Sequence, residues 1–429
     1  MDATPLHARD QALHLLCDVL NSARALDEAF ESRVADLEPR DRGFVRLLVA
    51  TTLRRLGQID EALTHCLSNP LPDKAILTNN ILRLGVCQLL FLGTPAHAAV
   101  STSVSLARER GQDAYKNLVN AVLRRMARDG EGWINRQRAG RLNTPDWLWK
   151  SWVSAYGEAT AQAIAEAHLS EAPIDITVTG DKAWWADKLE AEVLPTGSLR
   201  RAAGGRIEEL PGFSEGAWWV QDAAAALPAR LLGDVTGQSI ADLCAAPGGK
   251  TAQLAAAGAQ VTAVDRSESR LRRLRENMER LALTVEVVAA DAIAWTPSEL
   301  FDSVLLDAPC SATGTLRRHP DAARLKTSTD TAKLARVQAG LFKAAVKMLK
   351  PGGTLVYCVC SLQPEEGPGL IGAALAGGAP LSRLPVQAEE IGGLAEAITP
   401  EGDVRTLPCH WFDRGGMDGF FIARLRKTL

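Results

Sequence analysis

The sequence contains no apolar stretch longer than a β-strand. A membrane-spanning helix needs about 20 consecutive apolar residues, so we expect no membrane span. The amino terminus also lacks a basic segment followed by an apolar core, which is the pattern of a secretory signal, and we therefore expect a cytoplasmic protein. A charge excess is missing too, and the formal net charge of −3 over 429 residues neither favours nor excludes nucleic acid.

Cysteines at disulfide or zinc spacing are also missing. The eight cysteines are scattered, as is typical of reduced thiols in a cytoplasmic enzyme. Cys358 and Cys360 are close together, but only Cys409 and His410 could complete a zinc site with them, so we expect no metal. The composition is typical of globular proteins, and the length exceeds what one hydrophobic core supports.

Three segments with different patterns follow one another. Residues 1–140 predict an all-α domain of five or more helices, because apolar residues recur at three- and four-residue steps. Within it, residues 116–141 carry seven basic and two acidic side chains, a balance of +5 that could contact RNA phosphates or simply face solvent. The polar stretch 130–144 predicts a linker. Residues 141–216 combine a helical run at 147–167 with an alternating strand at 174–178 and predict a small α+β module.

Residues 217–429 alternate strand and helix patterns and predict a doubly wound α/β domain. A last edge strand is expected within 418–425. The other expected strands are continuous apolar runs, at 239–243, 261–264, 285–288, 303–306 and 354–359.

A glycine-rich turn at 242–251 follows the first of these strands, and three ligands compete for it. A phosphate-binding P-loop would need a glycine where Cys244 stands, although Gly249, Lys250 and Thr251 match its end. The spacing of a dinucleotide site is absent. S-adenosylmethionine is favoured by two acids, because Asp265 and Asp291 follow the next two strands, where carboxylates can accept hydrogen bonds from ribose hydroxyls and an adenine amino group.

Two cysteines, Cys310 and Cys360, stand at the ends of two other apolar strands. A lone cysteine at a strand end usually packs in the core, but each of these lies in the turn itself and is followed by serine. Methylation of carbon 5 of a pyrimidine would give such thiols a task, since a thiolate that adds to carbon 6 makes carbon 5 nucleophilic. Asp307 could hold the N3/N4 edge of the base.

Together these motifs resemble the RNA (cytosine-C5)-methyltransferase family of the RsmB/Fmu/Sun and NSUN type. The helical segment resembles the NusB RNA-binding fold, and among these enzymes that fusion is similar to the RsmB type. The resemblance implies 16S ribosomal RNA as substrate, free or in an assembling small subunit, and an RRM-like module between the two larger domains. The matching pieces are 118–125, 220–223, 242–251, 307–314, 318–321, 360–366 and 418–421.

The resemblance also implies a role for each site residue. Cys360 would be the nucleophile, Cys310 would promote elimination and product release, and Asp307 would contact the base or the cofactor. The remaining residues implied to contact S-adenosylmethionine are Cys244, Ala245, Ala246, Pro247, Gly248, Gly249, Lys250, Asp265 and Asp291.

This chain departs from the family pattern at Val359, where the family usually has threonine before the nucleophile. Cys358 is a second possible nucleophile, although its position one strand period earlier predicts a strand residue. The alternatives left open are a tRNA substrate, a non-catalytic RNA-binding or assembly factor that keeps the fold, and a P-loop NTPase.

Overall fold

The computed structural model describes residues 5–428, which divide into two compact units. One unit contains the chain up to Ser170 together with Leu316–Thr327, and the other contains Glu171–Thr315 and the chain from Ser328 onward. No helix among the described residues is long and apolar enough to cross a membrane.

The helical unit confirms the predicted all-α amino-terminal domain. Leucine and valine side chains at three- and four-residue steps, such as Leu13, Leu16 and Leu48, form a single buried cluster. Its main helices are α1 (Pro5–Ser22), α2 (Leu26–Val34), α3 (Pro39–Arg54), α4 (Leu56–Thr64), α5 (Ile76–Leu90), α6 (Ala96–Glu109), α7 (Lys116–Ile134), α8 (Ala139–Asn143), α9 (Asp146–Tyr156) and α10 (Glu158–Ala167).

The prediction of a linker at residues 130–144 was wrong, because this stretch is largely helical. Helix α7 continues to Ile134 and α8 follows after four residues. Trp133 stacks on His65 with ring centroids 5.0 Å apart, and Gln137 donates a hydrogen bond to the backbone oxygen of Gln58. The stretch contains few large apolar side chains, and it is stabilised by aromatic stacking and by amide hydrogen bonds instead.

The small sheet of the second unit confirms the α+β module. It contains β1 (Ile174–Val178), α11 (Lys182–Lys188), β2 (Glu192–Val193), β3 (Leu199–Arg201) and β4 (Trp218–Val220). All of its pairings are antiparallel, in the order β2-β3-β1-β4. Asp175 and Arg200 are cross-strand partners that form a buried, bidentate ion pair with two N–O distances of 2.7 Å. Helices α9 and α10 belong to the other unit, so the three-domain division at residues 140 and 216 stays a prediction.

The large sheet confirms the doubly wound domain. Its strands are β5 (Ser239–Leu243), β6 (Gln260–Asp265), β7 (Glu286–Ala289), β8 (Phe301–Asp307), β9 (Leu349–Val359), β10 (Leu381–Arg383), β11 (Val404–Arg405) and β12 (Phe421–Lys427). The accompanying helices are α12 (Leu227–Arg230), α13 (Gly249–Ala256), α14 (Glu268–Arg280), α15 (Ala322–Leu325), α16 (Ser328–Met348) and α17 (Pro368–Ala376). Of these, α15 lies in the helical unit.

The strand order is β10-β12-β9-β8-β5-β6-β7, and β9, β8, β5, β6 and β7 run parallel. The strand predicted within 418–425 exists as β12, but it is not at the edge. It pairs antiparallel with β9 on one side and with β10 on the other. Strand β5 has β6 on one side and β8 on the other, so the strand order switches direction at β5. Ligands of such sheets bind at this switch point.

The buried Asp175–Arg200 pair leads to a test of stability. We expect Asp175→Asn to lower the free energy of unfolding by about 3 kcal/mol, because Arg200 keeps its charge in a site where both side chains are at most 5% exposed. Urea unfolding measures the change. The matched control Arg206→Gln breaks the exposed pair with Glu209 and should change stability by less than about 0.5 kcal/mol. Equal effects of the two substitutions would contradict this account.

Candidate active site

The glycine-rich turn leaves β5 and leads into α13. Cys244 and Gly248 both have a positive φ, of +61° and +105° respectively. At Gly248 this backbone conformation causes no strain, because glycine has no Cβ. Two hydrogen bonds tie the turn to β6: the Ala245 N–H donates to the oxygen of Val264, and the Ala246 N–H donates to the Asp265 carboxylate at 3.3 Å. The turn is therefore fixed by the end of the neighbouring parallel strand.

The acids predicted after β6 and β7 lie in different surroundings. Asp265 is buried, accepts hydrogen bonds from the turn and from the Ser267 N–H, and lies 3.3 Å from Arg270. Asp291 is exposed and accepts the N–H of Ile293. Within the described residues a hydrogen bond joins Asp265 to the glycine-rich turn, and none joins Asp291 to it.

Lys250 links the glycine-rich turn to the end of β8. Its Nζ donates to Asp307 at 2.7 Å and lies 5.4 Å from the centre of the Phe420 ring. Burial alone would lower the pKa of Lys250, but Asp307 and the neighbouring Cys358 outweigh it and raise the pKa. Lys250 is therefore a cation that orients the Asp307 carboxylate.

The two predicted strand-end cysteines meet. The Sγ atoms of Cys310 and Cys360 are 3.4 Å apart, and both residues are half-buried. The hydrogen bond with Cys360 and burial raise the pKa of Cys310 well above its ordinary value. Cys310 therefore keeps its proton and can donate it in a hydrogen bond to the other sulfur.

Cys358 and Val359 are core residues of β9, and both are fully buried. The Cys358 thiol donates to Asp307 at 3.5 Å, and burial raises its pKa well above the ordinary value. Val359 lies opposite Phe421 of β12 in the apolar cluster on the other side of the strand. The apolar, β-branched side chain of Val359 matches its apolar surroundings. The contact between the two thiols forms without a threonine hydroxyl at this position.

Two buried acids near the site had no role predicted from the sequence. Asp242, in β5 beneath the turn, is fully buried and accepts the Thr251 hydroxyl at 2.6 Å, while its Oδ1 has no hydrogen-bond partner among the described residues. Burial raises the pKa of Asp242 to about 7. Glu366 follows the Cys360 turn and is also fully buried. The repeated Cys-Ser pair, at 310–311 and 360–361, was the available signal for Glu366 because both serines contact it.

Two family models match this sequence. The model described as 16S rRNA methyltransferase RsmB/F matches residues 229–426, and that of the NusB family matches residues 6–128. The first range contains the glycine-rich turn, the predicted acids Asp265 and Asp291, and both strand-end cysteines.

Relatives match over most of the chain. Ribosomal RNA small subunit methyltransferase B of Vibrio cholerae is 37% identical over 84% of this chain and 87% of its own length. The protein of the same name from Vibrio vulnificus is 34% identical over 98% of this chain and 100% of its own. The crystal structure of PH0851 is 21% identical, covers 100% of both chains and has a TM-score of 0.78, which shows a shared fold.

Fold, site and matches together define an S-adenosylmethionine-dependent RNA methyltransferase. The chain belongs to the RsmB/F family of ribosomal RNA methyltransferases and carries the NusB-type helical domain at its amino-terminal side. The expected family, fold and methyl donor are confirmed, and the P-loop interpretation of the glycine-rich turn is excluded.

The raised pKa of Asp242 predicts a pH-dependent stability. The folded state holds the Asp242 proton up to about pH 7, whereas the unfolded state releases it near 3.8. The contribution of this acid to stability is therefore full below about pH 4 and is lost as the pH rises through 7, by up to about 1.4 kcal/mol per pH unit. Asp242→Asn mimics the protonated form, so its stability relative to the unchanged protein should increase with pH.

Urea unfolding at several pH values tests this expectation. The exposed Asp187→Asn is the matched control, and it should change stability by less than about 0.5 kcal/mol. A difference for Asp242→Asn that stays constant with pH would show that this acid does not titrate as described.

Proposed function

We propose that this enzyme transfers a methyl group to carbon 5 of a cytosine in 16S ribosomal RNA through a covalent bond between Cys360 and carbon 6. The observation that carries the proposal is the contact of two thiols, 3.4 Å apart, at the carboxyl ends of adjacent strands beside the Lys250–Asp307 pair. Many methyltransferases need no thiol. A pyrimidine carbon does, because it is too weak a nucleophile until a thiolate has added to the ring.

The residues of the glycine-rich turn fit S-adenosylmethionine. Asp265 and Asp291 accept only a few backbone and arginine donors, so each carboxylate keeps capacity for hydroxyl or amino donors. Gly248 allows close approach of the backbone, and α13 begins beside it with its amino terminus toward the turn. We assign residues 244–250 together with these acids to the methyl donor, which when bound supplies an electrophilic methyl group on a sulfonium.

Cys360 adds as a thiolate to carbon 6 and forms the sulfur–carbon bond. The electron pair of the 5,6 double bond moves to carbon 5, which becomes nucleophilic and takes the methyl group, while the electron pair of the broken sulfur–methyl bond stays on the donor's sulfur. Cys360 suits this step because it follows β9 in the turn and is half-buried, whereas Cys358 is fully buried.

Cys310 assists the last step. The proton on carbon 5 passes to a water molecule, the sulfur–carbon bond breaks and the double bond returns. The departing electron pair stays on Cys360 as a thiolate, which the protonated thiol of Cys310 stabilises by a hydrogen bond across the short sulfur–sulfur contact. Without Cys310 the adduct should form but release slowly.

Asp307 holds the base edge. Its carboxylate accepts from Lys250 and from Cys358, which fix its orientation, and one-third of the side chain remains exposed to a base. An acceptor at that edge favours the protonated ring, which carries the electron pair better. The base must first be turned out of its stack to reach these groups.

The choice of RNA rests on the relatives and on the helical unit. The relatives of known name are small-subunit ribosomal RNA methyltransferases, and the NusB-type domain exposes Arg124, Arg125 and Arg128 along α7. A row of exposed arginines suits RNA phosphates. We propose that the enzyme acts in the cytoplasm, where its eight free cysteines stay reduced.

The two cysteines predict opposite results when each is replaced. Incubated with 16S RNA and S-adenosylmethionine and run on a denaturing gel, Cys310→Ala should accumulate a protein–RNA adduct, and Cys360→Ala should give neither adduct nor methylated RNA. The reason is that Cys360 forms the bond and Cys310 only helps to break it.

Cys358→Ser is the matched control: its hydroxyl can still donate to Asp307, so this variant should methylate RNA without accumulating an adduct. Methylation by Cys360→Ala would make Cys358 the nucleophile instead. Methylation of tRNA in preference to 16S RNA would favour the tRNA alternative, and no methyl transfer to any RNA by the unchanged protein would favour a non-catalytic assembly factor.

A further inference from the structure

The two cysteine turns share a sequence and a contact. Each cysteine is followed by a serine, Ser311 after Cys310 and Ser361 after Cys360. The two serine side chains are buried, and their hydroxyl oxygens are 3.0 Å apart. The turns are thus joined by a polar contact as well as by the thiols.

The Glu366 carboxylate connects these serines. Its Oε1 accepts the Ser311 N–H at 2.9 Å, and its Oε2 accepts the Ser311 hydroxyl at 2.5 Å and the Ser361 hydroxyl. A single carboxylate therefore bonds to the residue after each cysteine.

Glu366 is itself held from two further sides. Gln338 of α16 donates to Oε1 at 3.1 Å, and the Tyr357 hydroxyl donates to the backbone oxygen of Glu366 at 2.6 Å. Four donors on the carboxylate match the capacity of an ionised acid. Taking a carboxylate out of water costs several kcal/mol. Because Glu366 is fully buried, its hydrogen bonds must be well formed to offset that cost.

We propose that Glu366 is a positioning residue that fixes the Cys310 turn against the Cys360 turn, so that the two thiols stay in contact during the reaction. The inference rests on the proposed function of the thiol pair, and it adds a fully buried residue to the site. It acts through Ser311 and Ser361.

The charge of Glu366 has a second consequence. Together with the contact to Cys360 and burial, this carboxylate raises the pKa of Cys310. Removal of the charge should therefore let Cys310 lose its proton at lower pH, an effect that a purely structural residue would not have.

The test uses Glu366→Gln in the full-length enzyme, with Glu365→Gln as matched control, because Glu365 is the exposed neighbour. We expect Glu366→Gln to lower kcat on 16S RNA about 10- to 100-fold, since small misplacements of reacting groups have effects of this size. The KM for S-adenosylmethionine should not change, and Glu365→Gln should match the unchanged enzyme. Wild-type kcat in a folded Glu366→Gln, or an equal loss in both variants, would overturn the proposal.

A second measurement needs no RNA and separates this proposal from the proposed function. Iodoacetamide alkylation, followed for Cys310 by mass spectrometry, should shift to lower pH in Glu366→Gln and not in Glu365→Gln. An unshifted profile would overturn the electrostatic part of the proposal even if the unchanged enzyme forms its adduct. If Glu366→Gln does not fold, Ser311→Ala and Ser361→Ala each remove one tether and should still lower kcat, and wild-type kcat in both would overturn the positioning role.

Discussion

The parallel pairing of β8 with β9 is the constraint on which the site depends. In this register Asp307 lies opposite Cys358, and the Ala308 N–H donates to the Cys358 oxygen at 3.0 Å. The pairing continues past the strand ends, where the Gly314 N–H donates to the Cys360 oxygen at 3.0 Å. A slip of one residue would turn every side chain of one strand to the opposite face, and would separate the acid, the buried thiol and the two cysteine turns.

Close packing behind the turns maintains that register. A Cβ on Gly314 would lie 1.9 Å from the backbone oxygen of Gly419, so the Cys310 turn can approach the chain before β12 only with glycine there. β12 in turn pairs with β9 along its length. The two cysteine turns are therefore held by three adjacent strands, and the sulfur contact follows from backbone geometry rather than from the thiols themselves.

Buried charge is handled in two ways around these strands. In the part of the chain that the structure describes, Glu366 has four donors on its carboxylate, whereas Asp242 has one donor and an unpartnered oxygen. In Asp242 the cost of burial outweighs the Thr251 hydrogen bond and the attraction of Lys250, and its pKa rises to about 7. The cation nearest this acid along the chain, Lys250, donates to Asp307 at 2.7 Å instead. The site thus combines one oriented carboxylate, one saturated carboxylate and one carboxyl that gains a proton near neutral pH.

Much of this could be predicted from the sequence. The strands that end at Leu243, Asp307 and Val359 are continuous apolar runs stopped by turn residues, so both their burial and the meeting of Cys310 with Cys360 follow from pattern and topology. The strand order around β12 could not be predicted, because β10 is only three residues long and gives no periodic signal. The helical continuation through Trp133 was hidden by its polar composition.

The role of Glu366 was hidden for a different reason. A charged residue next to Glu365 in a Pro-Glu-Glu turn predicts an exposed position, and only the three-dimensional contact with Ser311, 55 residues away, shows that it is buried. The contact of Asp242 was hidden in the same way, since its donor Thr251 comes from a helix that begins after the turn. Local patterns predict which strands form, but the pairing of single polar side chains depends on contacts between distant segments.

The central claim is that Cys360 bonds to carbon 6 while the methyl group is transferred. It is tested most directly with 16S RNA that contains 5-fluorocytidine, because fluorine on carbon 5 cannot leave as a proton and the adduct persists. Digestion and mass spectrometry should find a methylated nucleotide attached to the peptide that contains Cys360. Attachment to the Cys310 or Cys358 position, or methyl transfer to ordinary RNA with no trapped adduct, would contradict the account.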